Sequence, residues 1–401
     1  MGSEGDTEGL DSYAYRGGIS GSGKFVAIET EVDNLMPNDD NNDWDIFVYN
    51  RKTRALRHVS RRPNGTKGNG ANEYPVISAN GRYVAFESES DNLVPDDDAT
   101  MPDVLVHDRK TKKIYRASVR SNGTEANAAS SEVAISGNGE RVVFISEATN
   151  LVRNDDNEVE DAFAHNTNTG KTLRVSVRSN GAEANESSSE PTISDNGRFV
   201  VFHSDAHNLV ANDSPGTTDV FVHDLKTRKT ERVSVRSNGN PGQGDSSYGI
   251  PSRNGRFIVF HSSAGNLVPD DSDTGDVFIH DRETGKTRRL SNRPNGNEAN
   301  GKSEVPDISA SGRFVSFQSE ASNLTPNDDN SSADIFVLDR KSGKTKLISR
   351  KSNGDQVAAS SYDSAVSNSG AFVSFYSTGV FAGGPEAAEE DGDVYLRGPL
   401  R

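Results

Sequence analysis

The stretch ISDNGRFVVFHS, Ile193–Ser204, and the DVFVHD that follows at Asp219–Asp224 decide the fold, because both return along the chain. Ser194 has counterparts at Ser20, Ser78, Ser136, Ser252, Ser309 and Ser367, and the successive intervals are 58, 58, 58, 58, 57 and 58 residues. Each serine is followed three positions later by glycine, from Gly23 to Gly370. For a chain of 401 residues, length alone would suggest two or three domains. A fixed period over nearly the whole chain overrides that, since units of this size bury their apolar faces only against neighbours.

Within one copy, SSEPTIS (188–194) reads as an extended segment and Asp195-Asn196-Gly197 as turn chemistry. In the next strand Phe199 and Val201 point one way and Val200 and Phe202 the other, so both faces are apolar and the strand must lie between two layers. DVFVHD is a third strand, LKTRK a turn and TERVSV (230–235) a fourth strand, followed by the polar loop RSNGNPGQGDSS. Four short antiparallel strands per repeat make one propeller blade. The sequence therefore predicts an all-β, single seven-bladed β-propeller with repeats starting near residues 19, 77, 135, 193, 251, 308 and 366. An open stack would expose apolar sheet faces at both ends, so a ring is expected. The seventh copy loses the loop pattern in TGVFAGGPEAAEED and ends just after its third strand. Its outer strand is expected to be missing or supplied by the N-terminal segment around Asp6 to Leu10.

The net charge of −16 argues against general nucleic-acid binding. With no cysteine, neither a disulfide framework nor a thiolate metal site exists. No apolar run approaches the roughly 18 residues of a membrane span, so no membrane insertion is expected. The N-terminus, MGSEGDTEGLDS, has no hydrophobic signal core; Met1-Gly2-Ser3 reads as an engineered start, and removal of a leader is the expectation.

The units SxxGRxVxFxS and DVFVHDxxTGKTxRVS resemble the WD40-like PD40 repeats of TolB-type propellers, over almost everything from Ile19 to Leu396. A Trp-Asp dipeptide occurs once, at Trp44-Asp45, and does not recur from copy to copy as in eukaryotic repeats. The resemblance implies a propeller fold and a wide range of roles: periplasmic scaffolds that bind partner proteins, gating domains of serine peptidases, and a few polysaccharide lyases. The Asp-rich and SNG loops resemble those of bacterial secreted or surface proteins, which makes an extracellular, cell-surface or periplasmic location the expectation.

Propeller topology sorts the loops by face. The loops between second and third strands, such as NLVPDDD at Asn92–Asp98, share a face with the blade-to-blade SNG loops, so that face is acidic. The opposite face carries basic turns such as Arg109-Lys110, Lys226-Thr227-Arg228 and Arg340-Lys341. In the acidic loops Asp39, Asn41, Asp43 and Asp45 alternate, and Asp328, Asn330 and Asp334 repeat the spacing, as do Asp155, Asn157 and Asp161. Oxygens at every second residue suit calcium, with carbonyls and water completing its shell. The competing reading is that these residues cap turns by bonding their own backbone. The strand-opening aspartate, from Asp45 to Asp393, is present in every copy, which favours a structural role for it.

His203 and His261 occupy one position in adjacent blades and are candidates for acid–base or metal chemistry, weighed against a polar tip on a strand end. First strands place Glu73, Glu132, Glu190, Glu304 and Asp363 around the channel mouth, with Tyr15, Tyr74, Tyr248 and Tyr362 near them. An apolar collar of Ile19, Ile77, Ile135, Ile193, Pro251, Ile308 and Val366 lies deeper. Trp44 is a candidate exposed anchor. There is no nucleophile elbow, phosphate-binding glycine loop or HExxH motif. The expected function is a monomeric, non-catalytic binding platform for a protein or glycan on the acidic face, stiffened by calcium if the loops hold it. The alternative is a lyase-like polysaccharide-degrading enzyme.

Overall fold

The computed structural model describes residues 18–31, 43–97, 101–213, 215–326, 328–351, 353–379, 381, 393–398 and 400. Seven antiparallel sheets stand in the order of the repeats. Blade four shows the plan: Ser188–Ile193, Phe199–Ser204, Asp219–Asp224 and Lys229–Arg232 pair in sequence order from the axis outwards. The outer strand stops at Arg232 rather than running to Val235. Val233 N–H bonds back to Val220 O, and the Ser234 hydroxyl turns inward to the Asp219 carboxylate.

Each second strand is buried on both faces, as its alternation requires. Val200 and Phe202 pack with Val143 and Ile145 of blade three, while Phe199 and Val201 pack with Ile258 and Phe260 of blade five. The turn Ser194–Arg198 is built by its own side chains: Asn196 Oδ1 accepts from Ser194 Oγ at 2.7 Å and from Arg198 N–H at 3.0 Å. Gly197 sits there at φ +68°.

The turn glycine also sets the blade spacing. A Cβ on Gly139 would lie 2.0 Å from the Tyr83 ring of the preceding blade, and one on Gly255 2.2 Å from Phe199. Arg109 and Arg340 lay their guanidinium groups over Phe25 and Phe257, with centroid distances of 4.1 and 4.3 Å.

The ring closes. Backbone hydrogen bonds form a belt around the axis: Gly21 N–H to Ala79 O at 3.0 Å, Gly137 N–H to Asp195 O at 3.1 Å, Asn196 N–H to Arg253 O at 3.2 Å and Ala310 N–H to Asn368 O at 3.2 Å. Ser369 N–H then donates to Gly21 O at 3.2 Å, which returns the belt to blade one. Phe372, Val394 and Leu396 of blade seven pack against Ile19, Val26 and Phe47 of blade one. Blade seven has three described strands, Ser361–Val366, Val373–Ser377 and Asp393–Arg397. The segment Asp6 to Leu10, expected to supply its fourth, lies outside the described residues.

Two glycines with the same backbone separate spacing from conformation. Gly170 has φ +67° and open space at its Cβ, whereas Gly139 has φ +76° and meets Tyr83. Gly170→Ala should cost about 1 kcal/mol. For Gly139→Ala the expectation is about 2–4 kcal/mol, because overpacking adds to the backbone cost. Urea unfolding of the two variants checks this, and equal losses would contradict the interlocking role.

Candidate functional site

The first strands line a central channel of about 650 Å³. Their pairing with the second strands carries one extra residue, between Glu73 and Val76 in blade two and between Ser189 and Thr192 in blade four. The bulged residue takes the left-handed conformation: Tyr74 (φ 53°), Glu132 (54°), Glu190 (46°), Tyr248 (56°), Val305 (49°) and Asp363 (51°). All six line the channel, and none is glycine.

A bulge frees a backbone N–H that needs an acceptor. The last outward position of the preceding blade's second strand supplies one. Tyr74 N–H donates to the Glu29 carboxylate, Glu132 N–H to Glu87 Oε1 at 2.6 Å, and Asp363 N–H to Gln318 Oε1 at 3.3 Å. Ile145 in blade three has nothing to offer, and Glu190 N–H turns to the Glu132 carboxylate. Burial pushes Glu29 up to about 8 in spite of the Tyr74 N–H, with Glu73 and Glu87 adding repulsion. Burial likewise pushes Glu87 up to about 7. Burial, and then Glu89, raises Glu73.

His203 and His261 stand at the same register. His203 Nδ1 lies 3.9 Å from Glu190 Oε2. His261 Nδ1 lies 3.5 Å from Ser247 Oγ, with its ring centroid 6.3 Å from that of Tyr248. Burial pushes His261 down to about 4, so its imidazole is neutral at pH 7.

The expected apolar collar, Ile19 through Val366, lines the channel below the mouth. At the lower end Asn368 donates its amide across the axis to the Asp195 carboxylate, with Arg253 also lining the channel. Of the expected mouth residues, Tyr74, Glu132, Glu190, Tyr248 and Asp363 reach the channel. Glu73, Glu304 and Tyr362 stand one residue earlier and pair with Glu87, Gln318 and Tyr376 on the second strands. Trp44 is half-buried, and its carbonyl accepts from Asn72 N–H at 2.8 Å. Glu29, Glu87, Asp195 and Asn368 were not singled out from sequence, although each occupies a fixed repeat position. Tyr15 lies outside the described residues.

The acidic loops form a second cluster. Three triads bring carboxylate oxygens within 4.8 Å of one another: Asp97, Asp103 and Glu125; Asp155, Asp161 and Glu183; Asp271, Asp276 and Glu298. Such groups are capable of holding a metal ion. In each, an arginine of the outer strand sits among the three. Arg116 reaches Asp97 at 3.1 Å, Asp103 at 2.7 Å and Glu125 at 2.7 Å. Arg174 and Arg289 repeat this, and Arg232 spans Asp213 and Asp219. One guanidinium against three carboxylates leaves excess negative charge. Burial pushes Asp103 up to about 7, and Asp155 and Asp271 up to about 6.

Asn157 Oδ1 accepts from Val159 N–H at 3.4 Å, which is turn bonding, and its amide donates to Asp161 Oδ2 and to Ala184 O. In blade six Leu347 replaces the arginine, and Gln356 Nε2 bridges Asp328 Oδ1 at 2.7 Å and Asp334 Oδ2 at 2.9 Å. Asn330 there donates to Val357 O and accepts from Ser332 N–H. In blade one His58 and Ser60 bond Asp45 Oδ1, Asp43 is half-buried, and Asp39 and Asn41 lie outside the described residues. The strand-opening aspartate is structural in all six blades where its side chain is described, each accepting from the serine that ends the outer edge, such as Ser118 on Asp103 and Ser349 on Asp334.

No family model and no curated protein matches the chain. Solved structures do. An oligogalacturonate lyase in complex with manganese superposes with a TM-score of 0.56 at 12% identity, covering 97% of this chain and 90% of that one. The oligogalacturonate lyase of Vibrio parahaemolyticus gives 0.54 at 11%, over 96% and 89%. The β-propeller domain of the Trilobed protease from Pyrococcus furiosus, described as having an open velcro topology, gives 0.56 at 12%, over 91% and 90%. The fold is a β-propeller of seven sheets, as the repeats implied. At these identities the likeness is one of fold.

Two outcomes follow. Arg174→Leu should leave one buried and two half-buried carboxylates uncompensated and cost about 3–5 kcal/mol. Millimolar calcium should restore part of that loss in the variant and little in the parent, read by thermal unfolding. For Glu29→Gln, the amide can still accept the Tyr74 N–H, as Gln318 does for Asp363. A carboxyl raised to about 8 when folded binds its proton more tightly than in the unfolded chain, so its stabilising contribution is full at low pH and fades as pH rises through 8. Between pH 5 and pH 9 the variant should therefore gain on the parent by on the order of 3 kcal/mol, measured by denaturant unfolding at each pH.

Proposed function

We propose that the protein is a non-catalytic binding platform that takes a cationic segment of a partner protein, or a basic glycan, into the channel mouth on the acidic face. The observation that supports this most directly is the row of left-handed mouth residues. A glycine would adopt that conformation at no steric cost, whereas Tyr74, Glu132, Glu190, Tyr248, Val305 and Asp363 are each strained by about 1 kcal/mol or more. The chain keeps two tyrosines and three carboxylates there at that expense. Side chains at the mouth, not backbone shape alone, are what the position is for.

Charge selects the class of ligand. Glu132, Glu190 and Asp363 line the mouth, backed by Glu29 and Glu87. A polyanionic sugar chain would meet repulsion here, while an ammonium or guanidinium group would be drawn in and its apolar stem could lie along the collar. The tyrosines offer faces to either a cation or a sugar ring. We further propose that the acidic loops are neutralised chiefly by their own arginines, and in blade six, around Asp328, Asn330 and Asp334, by the Gln356 amide, so that calcium is taken up where such a partner is removed. The resemblance of the repeats to those of TolB-type propellers supports a secreted, cell-surface or periplasmic setting.

Titration of fluorescent oligolysine and neutral oligosaccharide probes tests the reading. Oligolysine should bind, and Glu132→Gln/Glu190→Gln should weaken it by about tenfold or more without changing the melting temperature. Binding should strengthen from pH 6 to pH 9, because Glu87 and Glu29 lose their protons at about 7 and about 8. Absence of oligolysine binding would overturn the platform reading, and release of unsaturated sugar ends from oligogalacturonate, with or without manganese, would replace it by the lyase alternative.

A further inference from the structure

The face opposite the channel mouth carries the reverse charge, and it is flat. Its outer turns have one length in every blade where they are described: 51–54, 109–112, 167–170, 225–228, 282–285 and 340–343. Turns of equal length end at equal height, so their side chains form a level array. Lys110, Lys112, Lys226, Lys229, Lys341 and Lys344 are all exposed there, and none has an ion pair among the described residues. The carboxylates of the same turns are already taken. Asp108, Asp224, Asp281 and Asp339 each hold an arginine of the neighbouring turn through two hydrogen bonds, with the closest contacts at 2.6 to 2.9 Å. What remains without an ion pair on this face is mainly cationic, with Glu140 held by the Asn138 amide, although the whole chain carries −16.

We propose that this face docks the protein on an anionic lipid surface, leaving the channel mouth turned to solution. Three features select a planar partner. The level lysine array matches a plane. The strands that separate the two faces are six residues long, about 20 Å. That is about two Debye lengths at 0.1 M salt, so a surface touching the basic face is screened from the acidic one. A flexible polyanion would curl into reach of both faces and be repelled by one. Lysines, as hydrated point charges, suit headgroup phosphates without base or ring recognition. The exposed large apolar residues among those described, Tyr74 and Met101, belong to the mouth and the acidic-face loops. Docking is thus electrostatic, without insertion.

The experiment is vesicle sedimentation of the intact protein with phosphatidylcholine alone and with about one-third phosphatidylglycerol, at about 50 and about 500 mM salt. We expect binding only to the anionic vesicles, at least tenfold weaker at high salt. A variant with all six lysines changed to glutamine should lose at least tenfold while keeping its melting temperature and its oligolysine binding. Because the mouth is untouched, failure here is distinguishable from failure of the platform reading. Equal adsorption to neutral vesicles, unchanged binding by the variant, or complete stripping by soluble polyphosphate at equal charge would overturn the proposal.

Discussion

Everything in this protein follows from a strand that is apolar on both sides. Val200 with Phe202, and Phe199 with Val201, can leave water only if a sheet lies against each face. Every blade repeats that demand, so every blade needs two neighbours, and the arrangement that satisfies all of them at once is a ring. The turn glycines, the aromatic rings that press on them and the backbone belt from Gly21 round to Ser369 are consequences of sheets held face to face at close spacing.

Close packing then decides the electrostatics. Loops that look like chains of metal ligands in one dimension meet an arginine from the outer strand in three. In blades two to five, Arg116, Arg174, Arg232 and Arg289 take the place where a cation would sit. Blade six, with Leu347 and Gln356, shows what the loop does without that charge: an amide bridges the two carboxylates. The serines so abundant in the sequence have the same origin. Ser118 or Ser234 joins a strand-opening aspartate to the outer edge, and Ser188 meets Ser204 at 3.0 Å at the top of the inner hairpin. These four serines are accounted for by the packing of the blade.

The channel mouth is where the packing rule is relaxed. A bulge in each of the six described first strands turns one residue out of the ladder, and the freed N–H draws a side chain from the blade before it where one is in reach. Glu29 and Glu87 are buried by that service, and burial makes them weak acids. The two faces thus differ in kind as well as sign: carboxylates held in a concave, strained mouth on one, and exposed lysines at uniform turns on the other.

Period and alternation in the sequence determined the blade count, the strand order, the apolar collar and the polarity of the faces, because these depend only on which residue types recur at which spacing. Two-sided burial is legible in RFVVF without knowing what lies on either side. The tertiary structure alone decided which carboxylates face an arginine, which lie one residue outside the channel and which are buried by a neighbouring blade. Glu73 and Tyr74 are adjacent in the chain, yet a one-residue bulge sends Tyr74 into the channel and leaves Glu73 paired beside Glu87. Arg174 lies 13 residues from Asp161 and 19 from Asp155, and only the curl of the outer strand brings it to both. Contacts of that kind are set by register and by the distance between sheets, quantities that a list of residues does not contain.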